Sequence, residues 1–286
     1  MAVRTESEVA RTAFVLAGGA SLAAMQVGML RALYERGVRA DLLVATSAGA
    51  LNAAFLASRP QTVETAKELA DVWRGLHRQD VFPIHPPTVI AALTNQRDHL
   101  VPDRALRRLA ASHLEIDRLE DARTPLHLVA FDVLSGEEVH LSEGPAIDAV
   151  LAAAAIPGVL PPVRWRRRLL VDGGLVNNTP ISRAIELGAE RIYVLPTQDP
   201  ALRGLPVAPR GALDAAVHAF LLLVDARLQS DLARYAEEAE LILLTPTNPA
   251  GVQPTDFDQA DRLIRAAREA ARGALDTTAA ARAARA

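Results

Sequence analysis

The feature that most constrains the fold is the segment from Asp41 to Asn52, which reads D-L-L-V-A-T-S-A-G-A-L-N. A short apolar run is followed at once by Thr-Ser-Ala-Gly and then by an alanine-rich stretch with helical periodicity. This pattern predicts a strand, a sharp turn and a helix, with Ser47 at the turn. A serine placed there has its hydroxyl pushed out of the sheet. It also lies at a helix N-terminus, where unpaired amides and the helix dipole favour negative charge.

The same segment is similar to the nucleophile elbow of serine hydrolases, which is usually written G-x-S-x-G. Here Ala45 stands in place of the first glycine and Gly49 in place of the second, so the local match is A-T-S-A-G. A strand-to-helix turn with a capping serine and no catalytic role is the alternative that this segment alone leaves open.

Strand-like and helix-like segments alternate along almost the whole chain. Strands are predicted at 13–17, 42–45, 126–131, 138–141, 159–165, 169–171, 191–195 and 241–244, and helices at 24–36, 48–57, 63–76, 102–112, 145–155, 181–188, 213–236 and 257–285. Such alternation predicts an α/β fold with a mostly parallel sheet covered on both faces. Without an internal repeat or a convincing linker, we predict one domain over 11–275, a flexible leader at 1–10 and a fraying tail at 276–286. The proline-rich stretch 82–87 and the apolar helix 89–93 form either a lid or a plain connection.

The composition excludes several classes of function. Half of the 286 residues are hydrophobic, so the chain can bury a sizeable core, although aromatic residues make up only 4%. The formal net charge of −3 gives no support for nucleic-acid binding, and the absence of cysteine excludes disulfides, thiolate metal sites and cysteine nucleophiles. The first residues are not a secretory signal, and no apolar run approaches the ~20 residues that a membrane-spanning helix needs. These features predict a cytoplasmic protein.

A serine hydroxyl is a poor nucleophile until a base takes its proton, and the oxyanion formed on attack needs donors aimed at it. The candidate donors are the backbone amides in the small-residue stretch Gly18-Gly19-Ala20, which follows the first predicted strand. A dinucleotide site is a rival interpretation, but adjacent glycines without a third do not fit G-x-G-x-x-G. A tight turn without function also remains open for this stretch.

The candidate base is Asp172, at the end of a predicted strand and followed by Gly173 and Gly174. Asp-Gly is also common in hairpin turns, so this stretch alone does not assign a base. The single histidine after it is His218, which lies inside a helical segment rather than in a loop. The other histidines precede the aspartate and show no metal-ligand spacing; they are His77, His85, His99, His113, His127 and His140. The residues therefore indicate a Ser–Asp dyad and no metal.

Four blocks of the chain, in order, resemble the patatin-like phospholipase family and its bacterial members. They are the glycine-rich stretch 16–30, the elbow 41–54, the segment 154–163 and the aspartate block 170–180, which reads L-V-D-G-G-L-V-N-N-T-P. Together they span roughly residues 12 to 195. One block alone is modest evidence, whereas four blocks at similar separations are highly specific.

The resemblance implies a three-layer α/β/α fold and a cofactor-free serine hydrolase that cleaves acyl esters of lipids through an acyl-enzyme. In that case Ser47 is the nucleophile, Asp172 the general base, and the amides of Gly18, Gly19 and Ala20 form the oxyanion hole. The supporting positions of the elbow and the aspartate loop are Ala45, Gly49, Gly173 and Gly174. Peripheral contact with a membrane surface is compatible with such a substrate, and the oligomeric state stays open.

The chain departs from the family pattern at several small positions. Ala20 replaces a third consecutive glycine, Ala23 and Ala45 replace two more, and Leu22 stands where many members have arginine. These changes crowd the site, so a catalytically silent lipid-binding protein is one alternative and an acyltransferase is another. Separately, the basic turn 164–168 either meets anionic headgroups or is a solvated hairpin tip.

Overall fold

The structure is a computed structural model that describes residues 10–83, 88, 91, 94, 96–198, 211–246, 248 and 251–283. Most of the predicted leader lies outside the described residues, and so does most of the stretch 82–93, for which a lid and a plain connection were both left open. The described strands are β1 (Thr12–Leu16), β2 (Leu42–Thr46), β3 (Leu126–Asp132), β4 (Glu137–Leu141), β5 (Val163–Trp165), β6 (Arg168–Asp172), β7 (Arg191–Leu195) and β8 (Glu240–Leu243).

Helices lie between most of these strands. They are α1 (Ala24–Glu35), α2 (Ala48–Ala57), α3 (Val63–Gly75), α4 (Arg78–Val81), α5 (Arg104–His113), α6 (Ala146–Ala153), α7 (Gly174–Asn177), α8 (Ile181–Glu186), α9 (Ala212–Arg234) and α10 (Ala260–Ala283). Single 3₁₀ turns cover Ala20–Ala23 and Leu119–Asp121. Helix α1 stops where Gly37 adopts a positive φ of 69°, which a glycine tolerates without strain.

The strands form one sheet in the order β5-β6-β3-β2-β1-β7-β8, and β4 pairs with β3. Strands β3, β2, β1, β7 and β8 are parallel to one another, whereas β4 and β6 each pair antiparallel with β3, and β5 pairs antiparallel with β6. The sheet is therefore mixed but mostly parallel, with helices on both faces. The predicted three-layer α/β/α architecture is confirmed.

The central strands explain the two helical layers, because every residue of β1 and β2 is buried. Alternate residues face opposite sides of a strand. Phe14 and Leu16 contribute to a large core shared with α1, α2, α3 and α10, whereas Ala13 and Val15 contribute to a smaller core under α8 and α9. Helices α1 and α10 lie so close together that a Cβ at Gly28 in α1 would overlap the backbone of α10.

Several predicted boundaries were wrong by a few residues. The strand predicted at 159–165 covers only Val163–Trp165, because Pro161 and Pro162 have no amide hydrogen to donate to a sheet. The helix predicted from 257 begins at Ala260 and runs without a break to Ala283. The short helices α4 and α7 were not predicted, because a single turn carries no helical periodicity.

Candidate active site

Ser47 occupies the turn between β2 and α2. Its backbone has φ 54° and ψ −130°, in a region of positive φ that residues with a side chain rarely adopt. The Ser47 amide donates to the carbonyl of Ala153 at 3.0 Å. A Cβ at Gly49 would lie 2.6 Å from the carbonyl oxygen of Ala17 and would overlap that of Leu16. The glycine thus lets α2 leave the turn directly across the end of β1.

Strand β3 explains how Ser47 comes to face Asp172, which is distant in sequence. In the sheet Thr46, the last residue of β2, is paired with Val129, and Asp172, the last residue of β6, is paired with Ala130. Strand β4 pairs with β3 across Leu128–Asp132, so β2 and β6 share the opposite edge of β3. The two strands therefore end at neighbouring positions along one edge, and the elbow serine turns towards the aspartate.

The Ser47 hydroxyl donates a hydrogen bond to Asp172 Oδ2 at 2.6 Å, and both residues are buried. The other carboxylate oxygen, Oδ1, accepts from the amide of Gly174 at 2.7 Å. Burial raises the pKa of Asp172 from 3.8 to about 6, while the hydrogen bonds from Ser47 and Gly174 act in the opposite direction. A carboxylate with a pKa of about 6 is ionised at neutral pH and is a stronger base than an exposed aspartate.

The described histidine side chains do not take part in the contact between Ser47 and Asp172. Among the residues whose side chains the structure describes, no histidine hydrogen-bonds Ser47 or Asp172. The backbone of His218 lies in α9, but its side chain is outside the described part, as is all of His85. Asp172 therefore contacts the serine directly, without an intervening imidazole among the described groups.

The glycine-rich loop after β1 offers fewer free amides than the sequence predicts. The Gly18 amide donates to the carbonyl of Asn178 at 3.1 Å, so it is already engaged. The amides of Gly19 and Ala20 donate to no acceptor within the described part of the chain. Ala20 has a φ of 49°, a left-handed conformation that glycine adopts more easily, and its side chain lines the pocket beside Ser47.

Two polar residues that the sequence analysis did not assign hold this loop in place. Asn178 donates from Nδ2 to the Gly18 carbonyl at 3.3 Å, and Thr197 donates from its hydroxyl to the same oxygen. A Cβ at Gly18 would lie 2.7 Å from Cβ of Ser47, and a Cβ at Gly19 would overlap Thr197. Both glycines are therefore required for close packing around the serine.

A network of buried polar side chains also holds the glycine-rich loop after β1 in place. Gln26 Nε2 donates to the carbonyls of Ala17 at 2.7 Å and Leu195 at 3.0 Å. Asn52 Nδ2 donates to Gln26 Oε1 at 2.9 Å, and Trp73 Nε1 donates to Asn52 Oδ1 at 2.8 Å. The network links the ends of β1 and β7 to α2 and α3. Its sequence signal is the presence of Gln26 and Asn52 in otherwise apolar helical runs, where buried polar groups need partners.

The other small-residue departures do not narrow the pocket beside the serine. Ala45 and Ala23 are completely buried in the large core, and neither lines that pocket. Leu22 is also buried in that core, and as an aliphatic side chain it supplies no positive charge at this position. Of these substituted positions, Ala20 is the one that lines the pocket.

An apolar pocket leads from Ser47 into the layer formed by α2, α3 and α5. It encloses about 730 Å³ of space free of protein atoms, part of which is open to solvent. Its walls are formed almost entirely by aliphatic and aromatic side chains, among them Leu51, Phe55, Leu69, Val72, Trp73, Leu106, Leu109, Leu160 and Phe257. His113 also lines it, and partial burial lowers the pKa of that imidazole. We call this space the acyl pocket, after the acyl group that the family resemblance implies on Ser47.

The described residues contain no cluster of three histidine, aspartate or glutamate side chains that could hold a metal ion. None of their helices combines the length and the hydropathy that crossing a bilayer requires.

Comparison with known proteins gives a family match over more than half of the chain. A family model described as patatin-like phospholipase matches residues 14–185. An NTE family protein of Mycobacterium tuberculosis is 27% identical over 91% of this chain and 46% of its own length. Mouse patatin-like phospholipase domain-containing protein 7 is 30% identical over 64% of this chain and 13% of its own length. The chain thus spans less than half of either relative. Among solved structures, VipD from Legionella pneumophila aligns with a TM-score of 0.49 at 15% identity, covering 96% of this chain and 69% of that one.

Proposed function

Because this chain belongs to the patatin-like phospholipase family, we propose that it is a serine hydrolase that cleaves carboxylic esters of lipids through Ser47 and Asp172. The observation that carries the proposal is the 2.6 Å hydrogen bond between the Ser47 hydroxyl and a buried carboxylate, beside an apolar pocket that Ser47 also lines. A structural serine at a strand-to-helix turn needs neither the carboxylate nor the pocket.

In the proposed reaction, Asp172 takes the proton of Ser47 as the serine oxygen attacks the ester carbonyl. The developing oxyanion accepts hydrogen bonds from the free amides of Gly19 and Ala20, close to the N-terminus of α2. The protonated aspartate then returns the proton to the leaving alcohol, and an acyl group stays on the serine. Water attacks this acyl-enzyme, again with Asp172 as the base, and releases a carboxylic acid.

The walls of the acyl pocket indicate what the acyl group is. An aliphatic chain buried there gains roughly 0.8 kcal/mol for each methylene removed from water, whereas a polar acyl group would leave its polar atoms unpaired. We therefore expect esters of medium or long fatty acids to be better substrates than acetyl esters. Transfer of the acyl group to an alcohol instead of water would use the same acyl-enzyme.

The test is labelling by a fluorophosphonate probe together with hydrolysis of p-nitrophenyl esters of increasing chain length. We expect labelling and turnover in the wild type and the loss of both in Ser47→Ala. Ser112→Ala, which removes a hydroxyl from an exposed position of α5, is the matched control and should keep both. A folded wild type that neither reacts with the probe nor hydrolyses any ester would favour a silent lipid-binding protein.

A further inference from the structure

A second cleft, on the other side of α5 from the acyl pocket, is lined by five arginines. We call it the arginine cleft and define it by Arg97, Arg104, Arg107, Arg108 and Arg164. It is broad and open to solvent, with about 1930 Å³ of space free of protein atoms. The chain as a whole has a net charge of −3, so this concentration of positive charge is local and does not follow from composition.

Most of this charge is not neutralised by neighbouring carboxylates. Asp103 and Asp148 also line the cleft, and both pair with Arg107, at 3.5 and 2.7 Å. Over the part of the chain that is described, Arg104, Arg108 and Arg164 form no ion pair with a carboxylate. Free guanidinium groups in a shared cleft are suited to phosphate oxygens, which they bind through planar pairs of N–H donors.

The arginine cleft and the acyl pocket share two walls. Helix α5 turns Leu106 and Leu109 towards the acyl pocket and its arginines towards the cleft. The second shared wall is the segment 156–164, in which Leu160 lines the acyl pocket and Arg164 lines the cleft. This wall is held by hydrogen bonds from the amides of Leu100 and Val101 to the segment, at 3.0 and 2.8 Å.

The positive surface continues into the hairpin that carries Asp172. Arg164 belongs to β5, and the exposed Arg166 and Arg167 form the turn to β6, which ends at the aspartate. The basic turn noted in the sequence therefore begins at a residue that lines the cleft.

We propose that the arginine cleft docks the protein onto lipid surfaces that carry anionic phosphate headgroups. The proposal rests on the proposed function, because a lipid substrate requires the acyl pocket to meet a lipid phase. A membrane is favoured over a soluble polyanion because the same two walls that bear the arginines also enclose an apolar pocket. Binding would hold headgroup phosphates against α5 while the pocket next to it receives an acyl chain.

The test uses vesicle sedimentation with protein carrying Ser47→Ala, so that no lipid is consumed during the measurement. Vesicles of phosphatidylcholine alone are compared with vesicles that contain about a third phosphatidylglycerol. Each basic residue near an anionic surface contributes roughly fivefold to binding, so removing three should weaken it on the order of a hundredfold. The variant combines Arg104→Ala, Arg108→Ala and Arg164→Ala.

The matched control removes three exposed arginines from another helix, through Arg262→Ala, Arg265→Ala and Arg272→Ala in α10. Circular dichroism checks that both triple variants are folded. We expect the protein to bind vesicles that contain phosphatidylglycerol, and we expect salt to weaken this binding. The cleft variant should lose the binding, and the control variant should keep it. Equal binding to both vesicle types, or equal loss in both variants, would overturn the proposal. So would displacement from vesicles by millimolar glycerol phosphate, because that would indicate a site for a free anion.

The two proposals fail separately. Vesicle binding is measured on a protein without the nucleophile, whereas ester turnover is measured on the wild type with soluble p-nitrophenyl esters. Charge-dependent docking without turnover would retain the docking surface and reject the hydrolase. Turnover without charge-dependent docking would do the reverse.

Discussion

Replacing Asp172 by asparagine should abolish activity and at the same time stabilise the fold. Asparagine has nearly the same shape as aspartate. Its Oδ1 can accept a hydrogen bond from the Gly174 amide, and its Nδ2 can donate one to the Ser47 hydroxyl oxygen. The replacement therefore keeps the local geometry and removes a buried charge. The loss of the base should lower kcat by about a thousandfold or more, the scale seen when the acidic member of a catalytic triad is changed.

The size of the stabilisation follows from the pKa of Asp172. Burial raises that pKa from 3.8 in the unfolded chain to about 6 in the fold, which corresponds to about 3 kcal/mol at 1.36 kcal/mol for each pH unit. Because the folded pKa is the higher one, the folded state binds the proton more tightly. The penalty is therefore full above pH 6, falls between pH 6 and about 4, and is absent below that range.

The assay is urea unfolding of wild type and Asp172→Asn at pH 8 and at the lowest pH at which both unfold reversibly. We expect the variant to be more stable by about 1 to 3 kcal/mol at pH 8, since asparagine also carries some cost of burial. The difference should shrink as the pH falls through 6. A variant that is less stable than wild type at pH 8, or a difference that does not depend on pH, would refute the assignment of Asp172 as a buried and destabilised base.

Four further outcomes are expected. The wild-type kcat/KM for a soluble ester should rise about tenfold per pH unit below pH 6 and level off above it, because Asp172 must be ionised to accept the proton; a profile flat down to pH 4 contradicts this. Ala20→Gly should change the free energy of unfolding by less than about 1 kcal/mol, since relief of its left-handed backbone offsets the greater freedom of the unfolded chain, and ester turnover should not fall. Ala110→Leu, which fills part of the acyl pocket, should lower turnover of long-chain p-nitrophenyl esters by about tenfold or more while sparing the butyrate. Gln26→Leu should lower the free energy of unfolding by about 1 to 3 kcal/mol in urea titrations, because it removes the side-chain donor of the buried Ala17 carbonyl and one of the two partners of the Leu195 carbonyl and of the Asn52 amide.

The alternation of strands and helices in the sequence was sufficient to predict the layers of the fold. The segment from Asp41 to Asn52 predicted its strand, turn and helix nearly to the residue, because a buried strand and a helix have different periods. The role of β3 could not be predicted in the same way. Nothing in the sequence 126–132 states that β2 and β6 meet on one edge, since the register depends on pairing between distant segments.

The glycine-rich loop after β1 shows a similar limit. The glycines at 18 and 19 predicted a close backbone approach, and both do face side chains at distances that no Cβ could share. The sequence did not reveal that the Gly18 amide donates a hydrogen bond to the carbonyl of Asn178, because that contact joins residues far apart in the chain. The candidate hole therefore narrows from three amides to those of Gly19 and Ala20.

The direct contact between Ser47 and Asp172 explains how a carboxylate could act without an imidazole. An exposed aspartate is too weak a base to accept a serine proton efficiently, but burial against β3 raises the pKa of Asp172 towards the range in which histidine works. The same burial destabilises the fold at neutral pH, so the strength of the proposed base and the loss of stability have one structural cause. A change that exposes the Asp172 carboxylate to water should therefore stabilise the folded protein and, at the same time, make Asp172 a weaker base. Asp172→Asn is the limiting case, because it removes the charge altogether.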